Sequence, residues 1–309
     1  MRRDGSTGAT LRKEEVLVES LPYIQRYEGK VFVIKYGGAA MADEQLNATF
    51  AKDVTMLKKI GIRIVIVHGG GKEITNLAEK LGIETEFRGG QRYTDERMLD
   101  VVLMVLAGKL NTEVVQRINA NGGGAIGLSG VDNLLLRARR YSANGTDLGL
   151  VGEITSVNAA MLRMFLANDL MPVIAPVAVG ADHGLLNVNA DLAAAAIAQS
   201  LQAEKLVYLS DVQGVVAGEE LISTLTRSRA EQLISEGVIA GGMIPKMQSA
   251  FETVEAGVRK VHIIDGRVKH SLLLEVFTDE GVGTQMIPEE SPPGGSGDPS
   301  MAKATTWTA

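Results

Sequence analysis

Apolar residues along this chain fall into two patterns. Val31-Phe32-Val33-Ile34 and Ile64-Val65-Ile66-Val67 are unbroken and mostly β-branched, as in strands covered on both faces. Between such runs, apolar positions recur every third or fourth residue, the spacing of a helix with one buried face. The pattern predicts strand 31–36, helix 43–59, strand 62–68 and helix 72–81, then helices 94–106 and 109–120. Short strands near 124–128, 134–139 and 150–154 precede a helix around 158–167. Strand 171–176 leads through Gly180-Ala181-Asp182-His183-Gly184 to Leu185-Leu186-Asn187-Val188. An alanine-rich helix over 189–201 follows, thin enough for helix and sheet to approach closely. A further unit comprises strand 204–210, helices 227–236 and 243–257, strand 260–264 and a helix near 270–277. Strand–helix alternation of this kind predicts an α/β fold with a doubly wound, mainly parallel open sheet in a three-layer αβα sandwich.

The flanks depart from this rhythm. Leu17, Leu21 and Ile24, with Val18 and Tyr23 beside them, predict an extra N-terminal helix over 11–27. Its apolar stripe must be covered, either by its own domain or by another subunit. Pro288 to Ala309 is rich in Pro, Gly and Ser and is expected to be disordered. Four parts are therefore expected: 1–28 as leader and helix, 29–185 and 186–287 as two lobes, and 288–309 as tail.

Composition narrows the function. The chain has 309 residues, 45% of them hydrophobic and 22% charged, enough for a substantial core. A formal net charge of −6, with Lys and Arg scattered, provides no basic stripe and argues against nucleic acid. The absence of cysteine rules out disulfides, zinc–thiolate sites and thiol nucleophiles, and fits a reducing cytoplasm. Met1 to Thr10 has no apolar core of the secretory kind, and the apolar run Ala193–Ala198 is too short to span a bilayer. A cytoplasmic protein without membrane or nucleic-acid partners is expected.

The chemistry begins at two glycine turns. Lys35-Tyr36-Gly37-Gly38 and His68-Gly69-Gly70-Gly71 each end a mostly β-branched run and precede a helix. Consecutive glycines remove the Cβ atoms that keep ligands from main-chain N–H groups, and the helix dipole adds attraction for phosphate or carboxylate. In an open α/β sheet both turns lie at the carboxyl ends of their strands, where ligands bind. Other patterns mislead. Gly71-Lys72 is followed by Glu73 and lacks the upstream glycine of a P-loop. Gly122-x-Gly124-x-x-Gly127 leaves a helix and enters a strand, the inverse of a dinucleotide fingerprint. Protein-kinase signatures are missing. His68, His183, His262 and His270 have no metal-ligand spacing, and His68 reads as structural.

Three more clusters carry candidate chemistry. Arg92 lies in the glycine-loosened Gly89-Gly90-Gln91-Arg92-Tyr93-Thr94-Asp95, where a guanidinium can grip a carboxylate. Asn187-Val188-Asn189-Ala190-Asp191 puts Asp191 in the first turn of a helix. Gly241-Gly242-Met243-Ile244-Pro245-Lys246 puts a lysine near a helix start, where its charge opposes the dipole and invites an anion.

In order and spacing these motifs, with Ser210-Asp211-Val212-Gln213-Gly214, resemble the amino acid kinase family over about residues 12 to 287. Within it they are similar to members that phosphorylate N-acetyl-L-glutamate. The resemblance implies an open sheet of that family's type and ATP-dependent phosphorylation of the side-chain carboxylate of N-acetyl-L-glutamate, the second step of arginine biosynthesis. It assigns Gly70, Gly71, Arg92 and Asn187 to the acyl substrate and Gly37 and Gly38 to phosphate. Lys35 and Lys246 would stabilise the transferring phosphoryl group, positioned by Asp191. Asp211, Val212, Gln213, Gly214, Val215 and Val216, with Val238, Ile239 and Ala240, would line the ATP pocket. Mg2+ would accompany ATP with no direct protein ligand. The flanks look like those of arginine-inhibited, hexameric members, in which the N-terminal helix exchanges between dimers. This implies a homo-oligomer, a trimer of dimers, with an L-arginine site drawing on Tyr23, His270, Glu280, Gly281 and Gly283. Gln91, Tyr93 and Leu192 depart from the family's usual residues. A sibling kinase acting on carrier-bound aminoadipate, or on another amino-acid carboxylate or carbamate, is therefore the alternative.

Overall fold

A computed structural model describes residues 13–141, 147–218, 220–239, 243–278 and 281–289. The first half contains α1 (Lys13–Tyr27), β1 (Val31–Tyr36), α2 (Ala39–Ala42), α3 (Glu44–Lys59), β2 (Arg63–His68), α4 (Gly71–Lys80), β3 (Phe87–Arg88), β4 (Gln91–Arg92), α5 (Glu96–Leu103), α6 (Asn111–Ala120) and β5 (Ala125–Ser129). Then come β6 (Leu136–Arg140), β7 (Val151–Val157), α7 (Ala159–Ala167), β8 (Met171–Ala175), β9 (Val177–Val179), β10 (Leu185–Val188), α8 (Ala190–Leu201) and β11 (Lys205–Ser210). The chain continues through β12 (Val216–Ala217), β13 (Glu220–Leu221), β14 (Thr224–Leu225), α9 (Arg227–Ser235), α10 (Met243–Glu255), β15 (Lys260–Asp265), α11 (Ser271–Phe277) and β16 (Thr284–Met286).

Eight strands form one sheet in the order β14-β16-β15-β11-β1-β2-β8-β5, parallel throughout except between β15 and β16. Strand alternation separates the two faces. Val33, Val65 and Val67 face the alanine-rich α8, together with α7 and α10. Phe32, Ile34, Ile64 and Ile66 face α3, α6 and α11. The expected three layers are present. A third cluster joins Ile74 and Ala78 of α4 to Val101, Val102 and Leu106 beside the sheet's carboxyl end.

Short strands account for most departures from expectation. β6, β7, β9 and β10 close a four-stranded barrel against the main sheet, and hairpins β3–β4 and β12–β13 rise from loops. The boundary expected at 185/186 falls inside β10, because Asn187 pairs with β7 and β9. Helices 94–106 and 109–120 are a single rod. Met104–Leu110 forms a π turn between α5 and α6, running through Gly108 and keeping Leu106 and Leu110 buried on one side. α1 tucks Tyr27 against Phe32, with ring centroids 5.2 Å apart, and leaves Val18 70% and Leu21 50% exposed. The tail after Glu289 and residues 1–12 lie outside the described residues.

Candidate active site

Both glycine turns stand side by side at the carboxyl ends of central strands. Tyr36 of β1 is in register with His68 of β2, and the Gly69 N–H donates to Tyr36 O at 2.7 Å, tying one turn to the other. Each glycine has a local reason. A Cβ on Gly37 would lie 3.0 Å from Lys35 Nζ, so the bare backbone lets the lysine fold across it, and Gly38 turns the chain at φ 65°. A Cβ on Gly70 would collide with Leu106 and Leu110 of the π turn. Gly71 opens α4, whose first N–H groups face the cleft's end of the sheet.

Lys35 Nζ stands 3.0 Å from Asp191 Oδ1, an ion pair held by charge rather than by an aligned hydrogen bond. Asp191 is placed by the Asn189 cap of α8, whose side chain accepts from the Asp191 and Leu192 N–H groups at 2.8 and 3.3 Å. Lys246, in the first turns of α10, donates to Ser210 Oγ at 3.0 Å. Burial lowers its pKa; Asp191 and Asp211 pull it back up, and Lys35 opposes them. Lys35 is thus paired with Asp191, while Lys246, held by Ser210, feels the field of both Asp191 and Asp211.

Arg92 is buried, with Nη2 donating to Gly71 O at 2.8 Å and Thr75 Oγ1 at 2.9 Å, and its guanidinium packs 4.8 Å over the Phe87 ring. Burial lowers its pKa. Asn187 Nδ2 donates to Thr94 Oγ1 at 3.1 Å, and Thr94 donates on to Arg92 O. A cleft of about 260 Å³ is lined by Lys35, Gly38, Gly69, Gly70, Gly71, Arg92, Asn187 and Asp191. Beyond the carboxyl end of β11 a second cleft, of about 400 Å³, is lined by Asp211, Val212, Gln213, Gly214, Val215, Val216, Val238 and Ile239. The structure thereby gathers the residues expected for acyl and nucleotide binding into two hollows, with Lys35 in the lining of the first and Lys246 on Ser210, next to Asp211 of the second. Ala240, Gly241 and Gly242 lie outside the described residues.

The model for the amino acid kinase family matches residues 30–265. The chain belongs to the amino acid kinase family. It is 53% identical over 274 residues to an acetylglutamate kinase of Chlorobaculum tepidum, covering 89% of this chain and 96% of that one. A relative of the same name from Aquifex aeolicus is 52% identical over 294 residues, covering 90% and 99%. Among solved structures, the N-acetylglutamate synthase of Neisseria gonorrhoeae complexed with coenzyme A and N-acetyl-glutamate is 28% identical, with a TM-score of 0.81. The alignment covers 91% of this chain but 64% of the synthase. The synthase complexed with coenzyme A and L-arginine aligns at 29% identity and TM-score 0.76, covering 89% and 65%.

A further pocket lies by α1. It is about 70 Å³ in volume and includes Tyr23, Gly281 and Gly283. His270 is not there: at φ 61° it turns to α3, with Nδ1 2.6 Å from Asp53 Oδ1. Glu280 lies outside the described residues. The pocket also holds charged or titratable groups that the sequence did not place there, among them Lys205, His262 and Glu275. His262 Nδ1 is 2.5 Å from Glu275 Oε1, while His262 Nε2 is buried without a hydrogen-bond partner among the described residues. Burial pushes Lys205 down to about 8 and lowers His262. Burial also works against the Glu275 carboxylate, but His262, Lys205 and the Val282 N–H outweigh it and hold its pKa low. The available signal was the polar residue inside an apolar run, Lys205 before Leu206-Val207-Tyr208 and His262 within Val261–Ile264.

Proposed function

We propose that this enzyme transfers the γ-phosphoryl group of ATP to the side-chain carboxylate of N-acetyl-L-glutamate, giving an acyl phosphate in the second step of arginine biosynthesis. The observation that carries the reading is a lysine at each cleft coupled to the same carboxylate, Lys35 paired with Asp191 at 3.0 Å and Lys246 held by Ser210 within the field of Asp191. A carboxylate nucleophile has a reference pKa of about 4.3 and is ionised at neutral pH, so no general base is required. What remains is to hold two anions in line while charge spreads over the phosphoryl oxygens. Arg92 and Asn187 grip the acyl substrate against Gly70 and Gly71. Gly37 and Gly38 face the phosphates, and the two lysines stabilise the transferring group. Asp191 keeps them apart and oriented before substrate arrives.

ATP sits along Asp211–Val216 and Val238–Ala240, and Mg2+ enters with it as MgATP. Among the described residues no three acidic or histidine side chains gather into a metal site. The charged lining group beside Asp191 is an ammonium, suited to phosphate oxygens. A cleft of about 260 Å³ with the Arg92 guanidinium in its lining favours a small free substrate over a carrier-bound one. Wild-type enzyme with ATP and N-acetyl-L-glutamate, trapped with hydroxylamine, should form the hydroxamate; no product would refute the assignment.

Regulation extends the same reading. L-Arginine is an inhibitor that occupies the pocket of Tyr23, Gly281 and Gly283. Glu275 supplies an acceptor for its guanidinium, and Lys205 and Lys260 supply counter-charge for its carboxylate. Exposed Val18 and Leu21 on α1 suit exchange between dimers in a cytoplasmic hexamer. Removing residues 1–27 should leave an active dimer that arginine inhibits poorly; unchanged size and inhibition would sink this part.

A further inference from the structure

His68 has no place in the chemistry above, yet it is completely buried directly behind the acyl-binding turn. Its Nδ1 lies 2.9 Å from Gly69 O, and a carbonyl can only accept, so Nδ1 carries the proton. Nε2 is left with a lone pair, and the Asn111 amide nitrogen approaches it at 3.2 Å. That amide is itself oriented by Val173 O at 2.9 Å, which again can only accept. Burial pulls the imidazole pKa down to about 4, so the ring stays neutral and keeps this pairing near neutral pH.

Asn111 is not an arbitrary neighbour. It is the first residue of α6, and its N–H closes the π turn on Leu106 O and Gly108 O. The same turn sets Leu106 and Leu110 where a Cβ on Gly70 would be. The Gly69–Gly71 backbone is therefore gripped from behind by the imidazole, through Asn111, and from the side by two leucines of one irregular helical turn. π turns of this kind are rare and recur at functional sites.

We propose that His68 is a positioning residue for the acyl substrate: through the Gly69 carbonyl, and braced by Asn111 at the end of the π turn, it holds the Gly70–Gly71 backbone facing the cleft. The proposal rests on the acyl-kinase reading for what the turn binds, and on geometry alone for what holds the turn.

Near-isosteres in the full-length enzyme test it. In H68N the side-chain amide replaces Nδ1 and keeps the donor to Gly69. In H68Q the amide replaces Nε2, reaching Asn111 and losing that donor. H68Q should raise KM for N-acetyl-L-glutamate roughly tenfold, the worth of one such hydrogen bond, with KM for MgATP unchanged, and H68N should recover most of the loss. The same KM in all three proteins overturns the proposal. Amide hydrogen exchange over residues 69–75, measured without substrate, should be faster in H68Q than in wild type or H68N; equal exchange also overturns it. Should H68Q not fold, Asn111→Ala takes its place, with faster exchange over 69–75 expected and wild-type exchange the overturning result. A wild-type enzyme that leaves N-acetyl-L-glutamate untouched sinks the functional reading by itself, and the exchange measurement still decides the role of His68.

Discussion

The clefts proposed for the acyl substrate and for the nucleotide have walls that are held in different ways. On the acyl side, polar groups are already engaged before any ligand arrives. Arg92 is fixed by Gly71 O, Thr75 and Phe87, Asn187 by Thr94, and the glycine turn by His68. On the nucleotide side the lining is largely aliphatic, and Val216 and Val238 stand 42% and 38% exposed. One buried threonine organises it: Thr284 Oγ1 accepts from the Val215 N–H at 2.8 Å and donates to Ile222 O at 2.7 Å. A substrate recognised by charge and hydrogen bonds needs donors set in advance, because each misplaced one loses its geometry. A planar base, held largely through its faces, needs a slot, and side chains that adapt can supply it.

The contrast can be broken at the two lysines first. Lys35→Ala or Lys246→Ala should lower kcat by a factor of about 10²–10³, as for other preorganised donors, in the hydroxamate assay; near-wild-type turnover would remove that lysine from its role. Next comes the acyl wall. Arg92→Ala should lower kcat/KM for the acyl substrate roughly a hundredfold, the loss of a charge-assisted contact, while KM for ATP stays put. A comparable rise for ATP would mean that the two sides are not separately built.

Acid sharpens the same division. The folded-state pKa of His68 lies near 4, against 6.5 unfolded. The unfolded chain therefore binds the extra proton first, and stability falls as pH drops through that window. Urea unfolding should show about 2 kcal/mol less stability at pH 5 than at pH 7 from this group, a loss that H68N removes; an equal loss in H68N would assign it elsewhere. The smallest effect is expected on the adaptable side. Val238→Ala removes partly exposed methyls and should raise KM for ATP by roughly threefold, in line with about 0.8 kcal/mol per buried CH₂, without altering the acyl KM.

Much of this was legible in the chain. Unbroken, mostly β-branched runs identify β1 and β2, since few other environments bury every residue of such a run, and the glycines after them mark the ligand end of the sheet. Arg92, Asn187, Asp191 and Lys246 were legible as oddities, each a polar residue beside a helix start or glycine turn. The closed barrel was not. Val177–Val179 follows β8 after a single proline, and β6 slips register between Arg137 and Ala138, so neither repeats a pattern long enough to read. The π turn was hidden because Gly108 looks like a helix end in a sequence, whereas the packing of Leu106 and Leu110 on Gly70 carries the helix through. His270 was expected there because Glu275 and Thr278, a turn or two further along the chain, line the pocket by α1, but its own left-handed backbone turns it to Asp53.

β1 has one neighbour close in sequence and one far away. It pairs with β2 within a few dozen residues, but its other edge waits for β11, roughly 170 residues further along. At synthesis rates of about 5–20 residues per second, that edge stays open on the ribosome for roughly 10–30 s. During this time Val31 to Tyr36 presents an unpaired, apolar strand able to join a neighbouring nascent chain. The strand that carries Lys35 is thus also one whose open edge has to be shielded while the protein is being made.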